Sequence, residues 1–181
     1  LTMTKVSVIS GVLVLVMFCG CATTPKTAES KDVLAIRVKG AIAEFKAEDP
    51  GIQTYFNSSY GYAVLPKVLK GALGIGGAGG KGQVFERGRM IGYCSLTQVT
   101  FGFSLGGEYF REIIFFRDKH DLDKFRSEEF AFSAKATAVA LTAGAAAKAD
   151  YKDGMAVFLM TDKGLMIDAS VGGQKFKYSP K

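Results

Sequence analysis

Histidine and cysteine, the residue types on which most zinc, redox and nucleophilic chemistry depends, are scarce: the 181 residues hold one histidine and three cysteines. Cys19 and Cys21 stand together near the N-terminus and Cys94 stands alone in the body of the chain. No zinc-type Cys/His spacing exists, and the domain is expected to carry no internal disulfide. A membrane-spanning run is missing too. The apolar stretch within residues 6–18 falls short of the roughly 20 residues that a helix needs to cross a bilayer.

That short stretch suits a secretory signal instead. Lys5 provides a basic start, and Gly20-Cys21 closes the apolar run. The pattern resembles a lipobox, whose cysteine thiol takes a diacylglycerol before cleavage makes it the first residue. The expectation is a lipoprotein, acylated (palmitate included) at Cys21, with residues 1–20 removed as signal peptide. An uncleaved anchor or a signal cut elsewhere is the alternative. Ala22 is not the aspartate of inner-membrane retention in enteric bacteria, so the expected location is the outer membrane, with the domain lipid-anchored on its periplasmic face. Residues 21–30 read as a tether and residues 31–181 as one domain, long enough to bury a core.

Removing Lys5 lowers the net charge of +6 by one unit. A moderately basic domain beside an anionic bilayer is suggestive, although basicity alone specifies no partner.

Ser30 is a candidate N-cap for a helix whose Leu34, Val38, Ala41, Ile42 and Phe45 fall on one stripe. Asp49-Pro50-Gly51 stops it, and a short second helix is expected through Ile52, Tyr55 and Phe56. From Tyr60 glycine becomes frequent and strand patterns take over. Residues 96–105 alternate cleanly, with Val99, Phe101, Phe103 and Leu105 on one face. Residues 112–116 suit a second, buried strand, and residues 118–128 a polar helix with Leu122 and Phe125 inward. Residues 155–161 and 165–171 around Asp162-Lys163-Gly164 predict a β-hairpin. Residues 130–148 are ambiguous: alanine favours helix, while the alternation of Phe132, Ala134, Ala136 and Ala138 with Ser133, Lys135, Thr137 and Val139 tips the expectation toward strand. The fold class is α+β: N-terminal helix or helices, then a largely antiparallel, strongly curved, barrel-like sheet.

Two motifs fit chemistry only formally. Gly102, Ser104 and Gly106 match G-x-S-x-G, but a nucleophile elbow needs a strand, a turn and a following helix, and residues 108–116 look like more strand. Gly74, Gly76 and Gly79 match G-x-G-x-x-G, yet no helix pattern opens there as a dinucleotide site requires. Close packing of strands accounts for these glycines better. His120 with Asp118, Asp121 and Asp123 reads as a solvated helix start, and Cys94 as a small buried residue. No catalytic residue, cofactor or metal is expected.

The basic residues Lys67, Lys70, Lys81, Arg87 and Arg89 lie within 23 residues of glycine-rich chain. On one surface they would attract anionic lipid, at about 1 kcal/mol for each. A solvated sheet edge, where lysine discourages aggregation, explains them equally well. Nucleic acid is excluded by the expected compartment.

The element from Tyr60 through Pro66, then Lys70-Gly71, the glycine run from Gly74 to Gly82, and Gly164-Leu165-Met166 with Gly172 through Phe176 together resemble the SYLF lipid-binding domain. The likeness covers about residues 33–178, departing at Ser104 and Glu108. It implies a non-catalytic domain that binds phospholipid. By position it assigns membrane contact to a helix over residues 33–45 and to Lys67 and Lys70. Because bacteria generally lack the ligands of the eukaryotic relatives, generic anionic phospholipid is the expected partner. The alternative is a structural lipoprotein that binds an envelope protein and touches lipid only through its acyl anchor.

Overall fold

The computed structural model describes Pro25 and residues 27–127, 130–132, 138–140, 142–161 and 166–181. The signal peptide, Cys21 and the Asp162-Lys163-Gly164 turn lie outside these residues. The fold is α+β, with three helices and a six-stranded, curved, unclosed sheet that is antiparallel in all but one pairing.

Helix α1 spans Ala28–Glu48 and begins inside the stretch read as tether. Its N-cap is Thr27 rather than Ser30: Thr27 Oγ1 accepts from Ser30 N–H at 3.2 Å, and Ser30 Oγ accepts from Thr27 N–H at 3.2 Å. Each bond satisfies a donor that the helix leaves open, and Ser30 serves as the third residue of the capping box. Leu34, Val38, Ala41 and Phe45 are buried, as their helical spacing predicts. They pack on Val64, Ile113, Phe115 and Phe158 of the sheet. Asp49 stops the helix. A 3-10 turn at Pro50–Ile52 and the short α2, Gln53–Ser58, follow.

Two very long strands dominate. β1 covers Gly61–Glu86 and β2 covers Arg89–Phe116, paired antiparallel from Glu86↔Arg89 at the tip to Gly61↔Phe116 at the base. The two strands expected at 96–105 and 112–116 are therefore one. Gly106 and Gly107 do not interrupt it, because they are paired to Ala72 and Gly71.

β1 doubles back on itself. A Cβ on Gly82 would lie 2.3 Å from the Val64 carbonyl oxygen, and one on Gly80 would lie 2.8 Å from a Val68 methyl. A Cβ on Gly61 would lie 2.6 Å from the Phe85 carbonyl oxygen. Gly76, Ala78, Gly80 and Gly82 form the inward row of the second half, small because the first half lies directly against it. The glycine run is strand packing, as expected.

α3 spans Lys119–Arg126, capped by Asp118, and buries Leu122 and Phe125. Short strands β3 (Phe130–Phe132) and β4 (Ala138–Ala140) bear out the strand reading in those residues; 133–137 lie outside the description and Ala146–Lys148 is a 3-10 turn.

β5 (Met155–Thr161) and β6 (Met166–Pro180) do not form the expected hairpin. Both pair antiparallel with β2, β5 along Phe110–Phe116 and β6 along Gly92–Gly106. They therefore run in one direction, end to end along the same edge of β2. β3 pairs with the outer edge of β6 and β4 with that of β5, while β1 takes the other edge of β2. Inside the fold Leu65, Val68, Leu96, Ile114, Phe116 and Phe176 make the core. Each fully buried side chain of this size contributes roughly 1.5–3 kcal/mol.

Candidate functional site

The N-terminal half of α1 crosses the doubled part of β1 without closing on it and leaves a groove of about 1020 Å³. Its walls come from α1, from both halves of β1 and from β2 near Val99. The floor is apolar and open: Val33 is 42 % exposed, Leu69 58 % and Val99 51 %. Single exposed apolar residues are ordinary, but three around one concavity mark a binding surface. Ile36, on the adjoining exposed side of α1, is 71 % exposed.

Arg37, Lys67 and Lys81 stand at the groove, opposed by Glu29. Lys67 and Lys81 line the same groove because β1 folds back: a Cβ on Gly80 would lie 3.0 Å from the Lys67 carbonyl oxygen. Lys67 also places its ammonium 4.7 Å from the centre of the Tyr109 ring, which is 40 % exposed. The arrangement is an apolar trough with cations on its rim, suited to a molecule with an aliphatic part and an anionic head.

The five basic residues singled out in the sequence do not form one patch. Lys67 and Lys81 belong to the groove, whereas Arg87 and Arg89 sit at the β1–β2 tip. Arg87 lies over the Tyr60 ring at 5.0 Å and lines a separate, polar hollow of about 550 Å³ with Arg117 and Asp118. Lys70 is buried, 6 % exposed. The register shift between Leu65 and Val68 falls at Pro66, which has no N–H to give the ladder. Beyond it Val68 and Lys70 face inward while Lys67 and Leu69 face out.

The membrane helix implied by the family resemblance also changes. The apolar stripe of α1 is spent on the core, so only Val33 and Ile36 offer it an outward apolar contact. Leu69 and Val99 carry no site expectation in the sequence, and Val33 and Arg37 enter it only within the helix over residues 33–45. Arg37 follows Val33 by one helical turn, off the buried stripe, and that spacing is the signal that was available.

Ser104 lies within the unbroken β2, paired to Asp168 of β6, with no elbow and no following helix. Gly74, Gly76 and Gly79 lie within β1. At α3, Asp121 is ion-paired with Arg117, and Asp123 with Lys119 and Arg126. Among the described residues no group of three metal-binding side chains comes together.

Cys94 is buried and unpaired, and burial pushes its thiol up. Nearby Glu112 is fully buried, its Oε2 accepting from Gln174 Nε2 at 3.1 Å. Loss of water raises its carboxyl from 4.5 to about 8, so it is mainly protonated at neutral pH.

Residues 97–180 match the family Ysc84, described as Las17-binding protein actin regulator. Beta cell expansion factor A of Aeromonas veronii is 28% identical over 155 residues, which cover 84% of this chain and 59% of that protein. Both findings bear out the SYLF resemblance. The family match takes in most of β2 and everything after it, including Val99. Thr97 and Gln98 of the groove also fall within it, and the other groove residues come from the chain before it.

Proposed function

We propose that this chain, which carries a SYLF-family domain, is a membrane-anchored lipoprotein that binds anionic phospholipid in the groove between α1 and the doubled β1. SYLF domains are known for lipid binding, which supplies the class of ligand. The observation that carries the reading is the juxtaposition of exposed Val33, Leu69 and Val99 with Arg37, Lys67 and Lys81. Acyl chains seat on the apolar floor, while the phosphate meets the ammonium and guanidinium groups at the rim. Each cation near an anionic surface contributes about 1 kcal/mol, and that part is lost as salt rises.

Cys21 carries the acyl anchor, and the outer membrane's periplasmic face is the site of action. Two or more acyl chains make such anchoring stable where one is marginal. No described helix is long and apolar enough to cross a membrane. The activity is binding without catalysis.

Co-sedimentation of residues 22–181 with vesicles tests the reading. Binding to anionic but not zwitterionic vesicles, weakened by salt, supports it. Absence of binding to either would leave the acyl anchor as the sole lipid contact, and would favour an envelope protein as partner.

A further inference from the structure

We infer that in water the groove shelters the acyl chains of the diacylglycerol on this chain's own Cys21 and releases them when a bilayer is reached. The inference rests on the lipid reading of the groove and on acylation of Cys21, and it names the groove's first occupant.

The described chain begins on the groove wall. Pro25 is buried and lines the groove, as do Thr27 and Ser30. The reciprocal Thr27–Ser30 bonds fix the direction in which the chain joins α1. Cys21 precedes Pro25 by four residues, a span of at most about 14 Å when fully extended. An acyl group on Cys21 is thereby confined beside an apolar trough that it can enter without any partner molecule. Such a short tether keeps the effective concentration of the group at the groove high.

The shape of the site suits reversible occupancy. At about 1020 Å³ the groove is the size of a ligand site, yet it is open, so an aliphatic chain lying in it keeps part of its surface in water. A bilayer removes the whole chain from water, and transfer to the bilayer is therefore favourable. The emptied groove then lies near the leaflet that holds the anchor, with Arg37, Lys67 and Lys81 ready for a phospholipid of that leaflet.

The test compares the lipidated full chain, freed of detergent, with unlipidated residues 22–181, a length that contains every described element. Each is titrated with pyrene-labelled palmitate, and mass spectrometry establishes the acyl group. The unlipidated chain should bind the probe and lose it on L69D/V99D, substitutions at exposed positions that leave folding intact. The lipidated chain should bind roughly tenfold or more weakly, because its site is filled. It should also run as a monomer on gel filtration, whereas its L69D/V99D form should assemble into micelle-like particles. Equal probe binding by the two chains would overturn the inference and leave the lipid reading intact. Failure of both to bind would overturn the two together, and a mass without an acyl group on Cys21 would overturn the inference.

Discussion

Gly82 faces the Val64 carbonyl so closely that a Cβ there would lie 2.3 Å from its oxygen, with Cys94 Sγ and a Leu65 carbon each at 3.0 Å. Two halves of one strand are thus in backbone contact, and it is this contact that brings Lys67 and Lys81 to the same groove. Gly82→Ala should cost about 1–3 kcal/mol, the usual range for overpacking where backbone must move. Gly77→Ala, whose Cβ would meet only the Gln98 carbonyl at 3.6 Å, should change stability by less than about 0.5 kcal/mol. Urea denaturation of both variants reads the difference.

The buried Glu112 makes stability depend on pH. Its carboxyl is raised from 4.5 to about 8 in the folded protein, so the folded state holds the proton more tightly than the unfolded one. Stability is then greatest below pH 4.5 as far as this group is concerned, and falls as pH rises toward 8. Glu112→Gln should remove that slope. Urea midpoints measured between pH 5 and 8 should fall for the wild type by more than for the variant.

Asp49 behaves in the opposite sense. Its Oδ2 accepts from Ala146 N–H at 2.7 Å and its Oδ1 from Gly51 N–H at 2.9 Å, joining the end of α1 to the 3-10 turn before β5. The Ala146 bond, aided by others from backbone N–H groups, holds its carboxyl below the ordinary 3.8. The stability it contributes is present above that ordinary value and is lost as pH falls through the lower folded value. Asp49→Ala should cost about 1–3 kcal/mol at neutral pH, and the loss should shrink on acidification.

Tyr60 Oη donates to Glu86 Oε1 at 2.7 Å, and Arg87 N–H donates to the Tyr60 carbonyl at 2.9 Å. These bonds tie the two ends of β1 together. Tyr60→Phe should lower stability by about 1 kcal/mol while leaving vesicle binding unchanged, because the groove lies at the other end of the strand's fold. Thermal melts and co-sedimentation on the same preparation separate the two effects.

The helices were legible in the sequence because their signals are local. Leu34, Val38, Ala41 and Phe45 mark one face by spacing alone, and Asp49-Pro50-Gly51 marks the stop. The sheet was legible in class but not in connection. Asp162-Lys163-Gly164 has turn composition, yet the flanking strands continue along β2, whose paired residues lie tens of positions away in sequence. A local turn signal cannot tell a reversal from an interruption.

The candidate site shows the same limit. Strand alternation already puts Lys70, three positions on, on the face opposite Lys67, and that face is turned inside. Lys67 and Lys81 are distant in sequence and line the same groove only because β1 folds back. Arg87 and Arg89, close to Lys81 in sequence, are carried to the tip. Basic composition revealed that cations were available, and the geometry sorted them.

The most direct test of the central claim is co-sedimentation of residues 22–181 with anionic vesicles, comparing Lys67→Glu/Lys81→Glu with Arg87→Glu/Arg89→Glu. Both variants change the charge equally and at exposed positions. The groove account predicts that the first loses most of its salt-sensitive binding while the second keeps it. Equal loss in both would mean that net charge alone governs adhesion, and it would contradict a binding site at the groove.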